Sequence, residues 1–245
     1  SIGEGRALIA VVSAFEAAQL ASVNKETRII GILQTKTSSF LATHASTDLR
    51  LLQGPVAIDR TAMGASYLMY AASEVGLNEK NYTITYTSSP REQLDSLVSG
   101  RVAAAVLEPP FAFEARQRGI HLIPLSDYLG SGAETVLIGR RDRLAEQADG
   151  VIRLLRALDK AISWMYEPEN RRELTNLITS EYNVQQETAD FVYESLIWQA
   201  HVYSVASPYE PHVLDRTNGW LAKTGTSLKN EHFDLSYMKQ ARSRQ

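Results

Sequence analysis

The chain has 245 residues, of which 44% are apolar and 22% are charged, a composition typical of a globular protein with a substantial core. Its formal charge of −3 provides no basic footprint, so we predict no nucleic-acid partner. The absence of cysteine excludes disulfides, zinc–thiolate sites and a cysteine nucleophile, and no apolar run approaches the roughly 18 residues of a membrane span.

A sequence pattern that occurs twice organises the chain. GRALIAVV at 5–12 leads to FEA at 15–17, and GRVAAAVL at 100–107 leads to FEA at 113–115. Each copy predicts a glycine turn, a buried strand and a helix, followed by another apolar strand, at 28–33 and 120–125. The shared order predicts two similar α/β lobes facing one another across a cleft, although a chance similarity of short apolar strings is the alternative.

The remaining elements follow in chain order. We expect the chain to cross between lobes at LLQGP, residues 51–55, because proline cannot donate a hydrogen bond to a sheet. The spacing then predicts a strand at 56–58, a helix at 63–75, a strand at 82–86 and a helix at 91–98. Gly130-Ser131-Gly132 marks a loop, and a strand at 134–139 returns the chain to the first lobe. Helices are predicted from about residue 143, and a polar, loosely attached tail over 226–245.

These patterns predict an α/β fold with parallel-rich sheets and a helical C-terminal part. Lobe I is expected to comprise residues 1–54 and 136–245, and lobe II residues 55–135. Strand–helix–strand–helix precedes the second copy of the repeat but not the first. We therefore expect lobe I to lack these elements, roughly 40–55 residues. We favour the interpretation that the numbered chain is a fragment and that any signal peptide was lost with the missing part; the alternative is a protein that does without these elements.

Enzyme and metal motifs are missing from the sequence. The five histidines do not have the spacing of metal ligands, and neither a nucleophile elbow nor a phosphate-binding loop occurs. We therefore predict no catalytic residue, no metal site and no cofactor.

Polar residues after the predicted strands are the candidate ligand contacts. Open α/β sheets bind ligands beyond the carboxyl ends of their strands, where helix N-termini present amide hydrogens. Ser13 ends the strand of the first repeat, Glu108 takes its place in the second, and Ser39 follows the strand at 28–33. The turn after 56–58 contributes Arg60, Thr61, Gly64, Ala65 and Ser66. Arg60 would hold an anionic group, and Glu108 would meet an ammonium group or pair with Arg60 across the cleft; helix capping is the alternative.

With these segments in view, the chain resembles the periplasmic solute-binding proteins of the nitrate, sulfonate and taurine type of ABC transporter, a family that includes binding proteins for thiamine-pyrimidine precursors. The resemblance rests on LLQGPVAI at 51–58, GAS at 64–66, GL at 76–77, LVSGRV at 97–102, EPPF at 108–111, TVLIGRR at 135–141 and LLRALDKA at 154–161. The chain departs from the Gly-x-x-Asp turns of the family, because Leu8 and Ala103 stand in the place of aspartate.

The resemblance implies a two-lobed periplasmic-binding-protein fold of type II with two chain crossings. It implies a monomeric, extracytoplasmic protein, not an enzyme, that delivers a small organic anion or zwitterion to an ABC permease in the membrane. Places where the family contacts ligand correspond to Ser13, Ser39, Thr61, Gly64, Ala65, Ser66 and Glu108. The alternatives on the same fold are a ligand-sensing module and a metabolic enzyme.

Overall fold

The computed structural model describes residues 7–60, 63–204 and 211–243 of the chain. They form two compact units. Unit 1 holds the described residues of Ser1–Lys36, Ser131–Arg171 and His201–Gln245, and unit 2 holds those of Thr37–Gly130 and Arg172–Ala200.

Eight strands and eleven α-helices are formed by the described residues. The strands are β1 Ile9–Ser13, β2 Thr27–Gln34, β3 Phe40–Thr43, β4 Gly54–Asp59, β5 Tyr82–Thr87, β6 Ala104–Leu107, β7 His121–Pro124 and β8 Thr135–Arg140. The helices are α1 Ala14–Val23, α2 Gly64–Glu74, α3 Pro90–Val98, α4 Phe111–Gln117, α5 Ser126–Leu129, α6 Arg141–Glu146, α7 Ala148–Tyr166, α8 Arg171–Tyr182, α9 Gln186–Val192, α10 Pro211–Leu221 and α11 Ser236–Ser243. A π-helical turn, Tyr193–Gln199, follows α9.

The sheet of unit 1 has the order β1-β8-β2. β1 and β2 are joined by α1 and run in the same direction, but each pairs with the antiparallel strand β8 rather than with the other. Ser13 pairs with Thr135 at one end of this sheet, and Thr27 pairs with Arg140 at the opposite end.

The sheet of unit 2 has the order β5-β4-β6-β3-β7. β4 is parallel to β5 and to β6, as the alternation of strands and helices predicts. β3 runs antiparallel between β6 and β7, and all four of its residues are buried. The expected α/β class is confirmed, with parallel pairs in unit 2 and antiparallel pairs between the described strands of unit 1.

Each copy of the repeat forms a strand, a helix and a second strand. In the sheet, an antiparallel strand from another part of the chain lies between these two strands. In unit 1 the elements are β1, α1 and β2 with β8 inserted, and in unit 2 they are β6, α4 and β7 with β3 inserted. The change from unit 1 to unit 2 lies between Lys36 and Thr37 rather than at 51–55, because β3 pairs with two strands of unit 2. Residues 172–200 also belong to unit 2, which the expected boundaries at 55 and 135 did not include.

The prediction of a loosely attached tail over 226–245 was wrong for the described residues up to 243. Tyr237, Met238 and Ala241 of α11 are buried in one core cluster with Ile30 and Leu155. The Asp234 N–H donates to the carbonyl of Ile29 over 2.8 Å, which attaches the segment before α11 to β2. The burial of three apolar side chains on one face of α11 holds this segment on unit 1.

None of the helices that the structure describes combines the length and the apolar character needed to cross a bilayer.

Candidate functional site

One edge of the unit 2 sheet collects the ends of several strands. Phe40, the first residue of β3, pairs with Leu107 at the end of β6 and with Pro124 at the end of β7. Because β4 and β5 run parallel to β6, their carboxyl ends point to the same edge. We call it the carboxyl edge, and its polar residues and helix terminus are Thr37, Ser39, Arg60, Gly64–Ser66, Glu108 and Ser126.

A chain of hydrogen bonds runs along the carboxyl edge from Thr37 to Glu108. The Thr37 hydroxyl accepts from the Ser39 N–H over 3.2 Å and donates to Ser39 Oγ over 3.0 Å. The Ser39 hydroxyl in turn donates to Glu108 Oε1 over 3.1 Å. Thr37 and Ser39 are 2% and 4% exposed, whereas Glu108 is exposed. The structure thus joins two of the predicted site residues, Ser39 and Glu108, through a direct contact.

The N-terminus of α2 follows β4 at the carboxyl edge. A Cβ atom on Gly64 would lie 3.2 Å from Ile58 Cγ2 and 3.3 Å from Val106 Cγ1, so glycine allows α2 to approach β4 and β6 closely. Met63 provides no side-chain hydrogen bond to the first turn of the helix. The first amides of an α-helix have no partner within the helix, and the helix dipole favours negative charge beside them.

The other predicted residues of this turn differ in their surroundings. Ala65 is half-buried, and Ser66 is only 4% exposed. Thr61 lies outside the described residues. The chemistry that this turn offers to a ligand therefore comes from its backbone and the helix dipole more than from the Ser66 hydroxyl.

Arg60 ends the described part of the turn after β4. Its guanidinium carbon lies 5.5 Å from the centroid of the exposed Tyr86 ring, on the β5 side of β4. The hypothesis that Glu108 pairs with Arg60 across a cleft was wrong about their placement, because both residues belong to unit 2. Arg60 contacts Tyr86, and Glu108 contacts Ser39.

A cavity of about 210 Å³ lies beside the start of β3 in unit 2. Its polar lining includes Thr37, Ser39, Ser126, Ser195 and Gln199. Ser126 was not among the predicted contacts, although it follows β7 and meets the same strand-end rule. Ser195 and Gln199 belong to the π-helical turn, whose position beside β3 has no local signal in the sequence. The cavity adds hydroxyl and amide groups and one further carboxylate, Asp127, to the carboxyl edge.

An ion pair connects the first turns of α3 and α4. Arg91 Nη2 lies 2.8 Å from Glu114 Oε2, and Arg118 Nη2 lies 2.6 Å from Glu114 Oε1. The hydrogen bond from Arg91, followed by the contact with Arg118, lowers the pKa of Glu114 below its usual range. Glu114 thus shares its single negative charge between two guanidiniums, those of Arg91 and Arg118.

Ser13 lies in unit 1 and caps α1. Its hydroxyl accepts from the Glu16 N–H over 3.2 Å, and its own N–H donates to Glu16 Oε2 over 2.9 Å. This reciprocal pair is a capping box, the alternative that the sequence analysis left open for this residue. Ligand contact by Ser13 stays a prediction.

Within residues 7–60, 63–204 and 211–243, no group of three or more His, Asp or Glu side chains is arranged to hold a metal ion.

No protein-family model matches the chain, and no curated protein sequence is significantly similar to it. Solved structures are similar to it. The periplasmic sulfonate-binding protein SsuA from Methylobacillus flagellatus KT superposes with a TM-score of 0.81 at 14% identity, over 99% of this chain and 77% of that one. The periplasmic nitrate-binding protein NrtA from Synechocystis PCC 6803 gives a TM-score of 0.68 at 12% identity, over 100% of this chain and 76% of that one.

A third similar structure is that of an enzyme. The desulfurization enzyme DSZB gives a TM-score of 0.66 at 17% identity, over 96% of this chain and 85% of that one. The resemblance that the sequence indicated is confirmed at the level of the fold. The chain has the α/β fold of the periplasmic sulfonate- and nitrate-binding proteins of ABC transporters, a fold that also supports an enzyme.

Proposed function

We propose that the protein is an extracytoplasmic solute-binding protein that captures a small zwitterion, with an acid group and an ammonium group, for the permease of an ABC importer. The observation that carries this proposal is the hydrogen-bond chain from Thr37 through Ser39 to Glu108. The similarity in fold to sulfonate- and nitrate-binding proteins supports the general role.

The direction of the hydrogen-bond chain favours a ligand group that donates. An ionised carboxylate only accepts hydrogen bonds, so Ser39 must donate to Glu108. Each hydroxyl has a single hydrogen, so Thr37 must then donate to Ser39. The Thr37 hydrogen is thus directed to Ser39 Oγ and the Ser39 hydrogen to Glu108, and the exposed carboxylate offers its remaining lone pairs to a ligand. An ammonium group satisfies such an acceptor, whereas a second anion would be repelled by it.

The acid group of the ligand is assigned to the turn after β4. The N-terminus of α2 presents backbone amides and the positive end of the helix dipole. Arg60 adds a guanidinium, which binds carboxylates and sulfonates through two parallel hydrogen bonds. Thr61, Gly64, Ala65 and Ser66 belong to the same proposed contact. SsuA and NrtA are named for binding sulfonate and nitrate, which supports a ligand that carries an acid group.

Titration calorimetry with a panel of solutes tests this function. We expect 2-aminoethanesulfonate to bind with a dissociation constant on the order of micromolar, about −8 kcal/mol, and glucose and choline not to bind. Arg60→Ala should weaken sulfonate binding by roughly 1.5–3 kcal/mol if Arg60 makes a charged hydrogen bond. Arg101→Ala is the matched control, because Arg101 is exposed and precedes β6 at the opposite end of that strand. A preference for neutral sugars, or equal effects of the two variants, would refute the proposal.

An enzyme is the second candidate, favoured by the fold that the chain shares with the desulfurization enzyme DSZB. Glu108 is a carboxylate that could serve such chemistry. The two candidates differ in the fate of the bound solute. A binding protein returns the solute unchanged after prolonged incubation, whereas an enzyme converts it with turnover, and mass spectrometry of the recovered solute distinguishes the two outcomes.

A further inference from the structure

Unit 1 contains a second cavity, of about 680 Å³. Four separate parts of the chain line it: the end of α1, the start of β2, the start of α6, and the loop at 225–232. The loop is held in place because the Asp234 N–H, just beyond it, donates to the carbonyl of Ile29 over 2.8 Å. The volume lies within the usual range for small-molecule sites, about 300–1,000 Å³.

This cavity lies at the end of the unit 1 sheet opposite to Ser13. Ser13 pairs with Thr135, the first residue of β8. Thr27, at the start of β2, pairs with Arg140, the last residue of β8. The cavity is lined by Lys25 and Arg28, which flank Thr27, and by Arg141, which follows Arg140. It is therefore separate from the strand-to-helix turn of Ser13 within unit 1.

The lining is strongly cationic in a chain whose formal charge is −3. Lys25, Arg28, Arg141 and Lys229 bring four positive charges, against one carboxylate in the lining, Glu231. The carboxylates beside these cations lie too far from them to form short hydrogen bonds. Arg141 Nε lies 3.6 Å from Glu26 Oε2, and Lys229 Nζ lies 3.8 Å from Glu231 Oε1. Charge-assisted hydrogen bonds are shorter, about 2.7–2.9 Å. Positive charge in this cavity thus exceeds what its carboxylates balance.

Two of the lining groups are fixed in orientation. Arg28 Nη1 donates to the carbonyls of Lys25 and Thr27, over 2.7 Å in each case, which holds the guanidinium in one position. His232 Nδ1 accepts from the Lys229 N–H over 3.1 Å, so the proton of the neutral ring is on Nε2. Burial lowers the pKa of His232, which favours this neutral form. Nε2–H is then a donor in the lining.

We propose that this cavity is a binding site for a multiply charged, phosphate-bearing anion. A phosphate group matches the planar donors of Arg28 and Arg141 and the point charges of Lys25 and Lys229. The anion relieves the mutual repulsion of the four cations, and the volume accommodates a small organic phosphate as well as the inorganic ion. The same chemistry is offered by a free phosphate compound and by the headgroup of an anionic phospholipid.

Titration of the protein with inorganic pyrophosphate at low salt tests the proposal. A variant that combines Lys25→Gln with Arg141→Gln should bind pyrophosphate about tenfold more weakly or worse, since each substitution removes one charged contact. Both side chains are exposed, so the fold should tolerate the changes. The matched control combines Arg153→Gln with Lys160→Gln on α7, which removes the same charge from exposed positions that do not line the cavity. This control should leave the affinity within about twofold.

Vesicles distinguish the two sources of phosphate. Pyrophosphate binding without sedimentation on phosphatidylglycerol vesicles assigns the site to a free compound, and sedimentation that the cavity variant abolishes assigns it to a lipid headgroup. Binding of neither probe, or an equal loss in the cavity and control variants, would overturn the proposal. The affinity for 2-aminoethanesulfonate should be unchanged in the cavity variant, which separates this site from the proposed solute site.

Discussion

Replacing Gly132 by alanine should destabilise unit 1 substantially. A Cβ atom at this position would collide with Cη2 of Trp220 and would lie 2.7 Å from Cζ3 and 2.8 Å from Cζ2. Carbon atoms in contact are normally about 3.5–4.0 Å apart, so the indole would have to move by roughly 1 Å. Trp220 is only 1% exposed and close-packed, and such a shift displaces its neighbours as well.

Overpacking of a core typically costs about 1–3 kcal/mol, and the closeness of these contacts places Gly132→Ala near the upper value. For a chain of this length, a loss of about 3 kcal/mol lowers the midpoint of thermal unfolding by roughly 6–12 °C. The free energy of unfolding is measured by urea denaturation, and near-ultraviolet circular dichroism reports the displacement of the indole.

The matched control for this variant is Gly150→Ala in α7. The nearest atom to a Cβ at Gly150 is Nη2 of Arg153, 3.9 Å away, so alanine meets no obstruction. Because alanine favours the helix over glycine, this variant should stabilise the protein by about 0.5 kcal/mol. If Gly132→Ala also left the free energy of unfolding unchanged or raised it, the described packing of Trp220 against Gly132 would be refuted.

Two further predictions concern the cap of α1 and the ion pair between α3 and α4. Ser13→Ala should lower the free energy of unfolding by about 1 kcal/mol, because it removes the side-chain half of the capping box, and urea denaturation checks this. The pKa of Glu114 is lowered in the folded protein, so its ionised carboxylate stabilises the fold. This contribution to the free energy of unfolding is fully present above the unfolded-state pKa of about 4.3, and it is lost as the pH falls through the lower folded-state pKa. Arg91→Ala should reduce this loss between neutral and acidic pH by at most about 1 kcal/mol, since the pair is partly exposed; an unchanged pH profile would contradict the assignment.

The local elements of the fold, including the strand that became β8, could be predicted from the sequence, whereas β3 and the insertion of β8 and β3 between the strands of each repeat could not. The repeated pattern indicated a strand, a helix and a second strand in both copies, and these are β1–α1–β2 and β6–α4–β7. The antiparallel strands between them, β8 and β3, come from distant parts of the chain. Their pairing depends on long-range contacts, and periodicity within a short window gives no information about such partners.

Only part of the candidate site could be predicted, again because its contacts depend on strands that are distant in the sequence. The strand-end rule identified Ser39 and Glu108, but their hydrogen bond depends on the register of β3, which pairs Phe40 with Leu107. Thr37 was not among the predicted ligand contacts, although its hydrogen bond to Ser39 directs the hydroxyl of Ser39 toward Glu108.

The C-terminal helix shows where composition misled the prediction. α11 is polar overall, and its buried face consists of Tyr237, Met238 and Ala241. Three apolar residues at helical spacing are sufficient to attach eight residues to an existing core, but they are too few to distinguish a helix from a polar tail.

The most direct test of the proposed function is a double-mutant cycle between Glu108 and the ammonium group of the ligand. Calorimetry would give the dissociation constants of 2-aminoethanesulfonate and ethanesulfonate for the unaltered protein and for Glu108→Gln, with Glu74→Gln on the last turn of α2 as the matched control. The unaltered protein and the control should prefer the amino compound by roughly 10- to 150-fold, the equivalent of one charged hydrogen bond, and Glu108→Gln should lose most of this preference. Equal affinity for the two solutes, or a preference that survives in Glu108→Gln, would contradict the account.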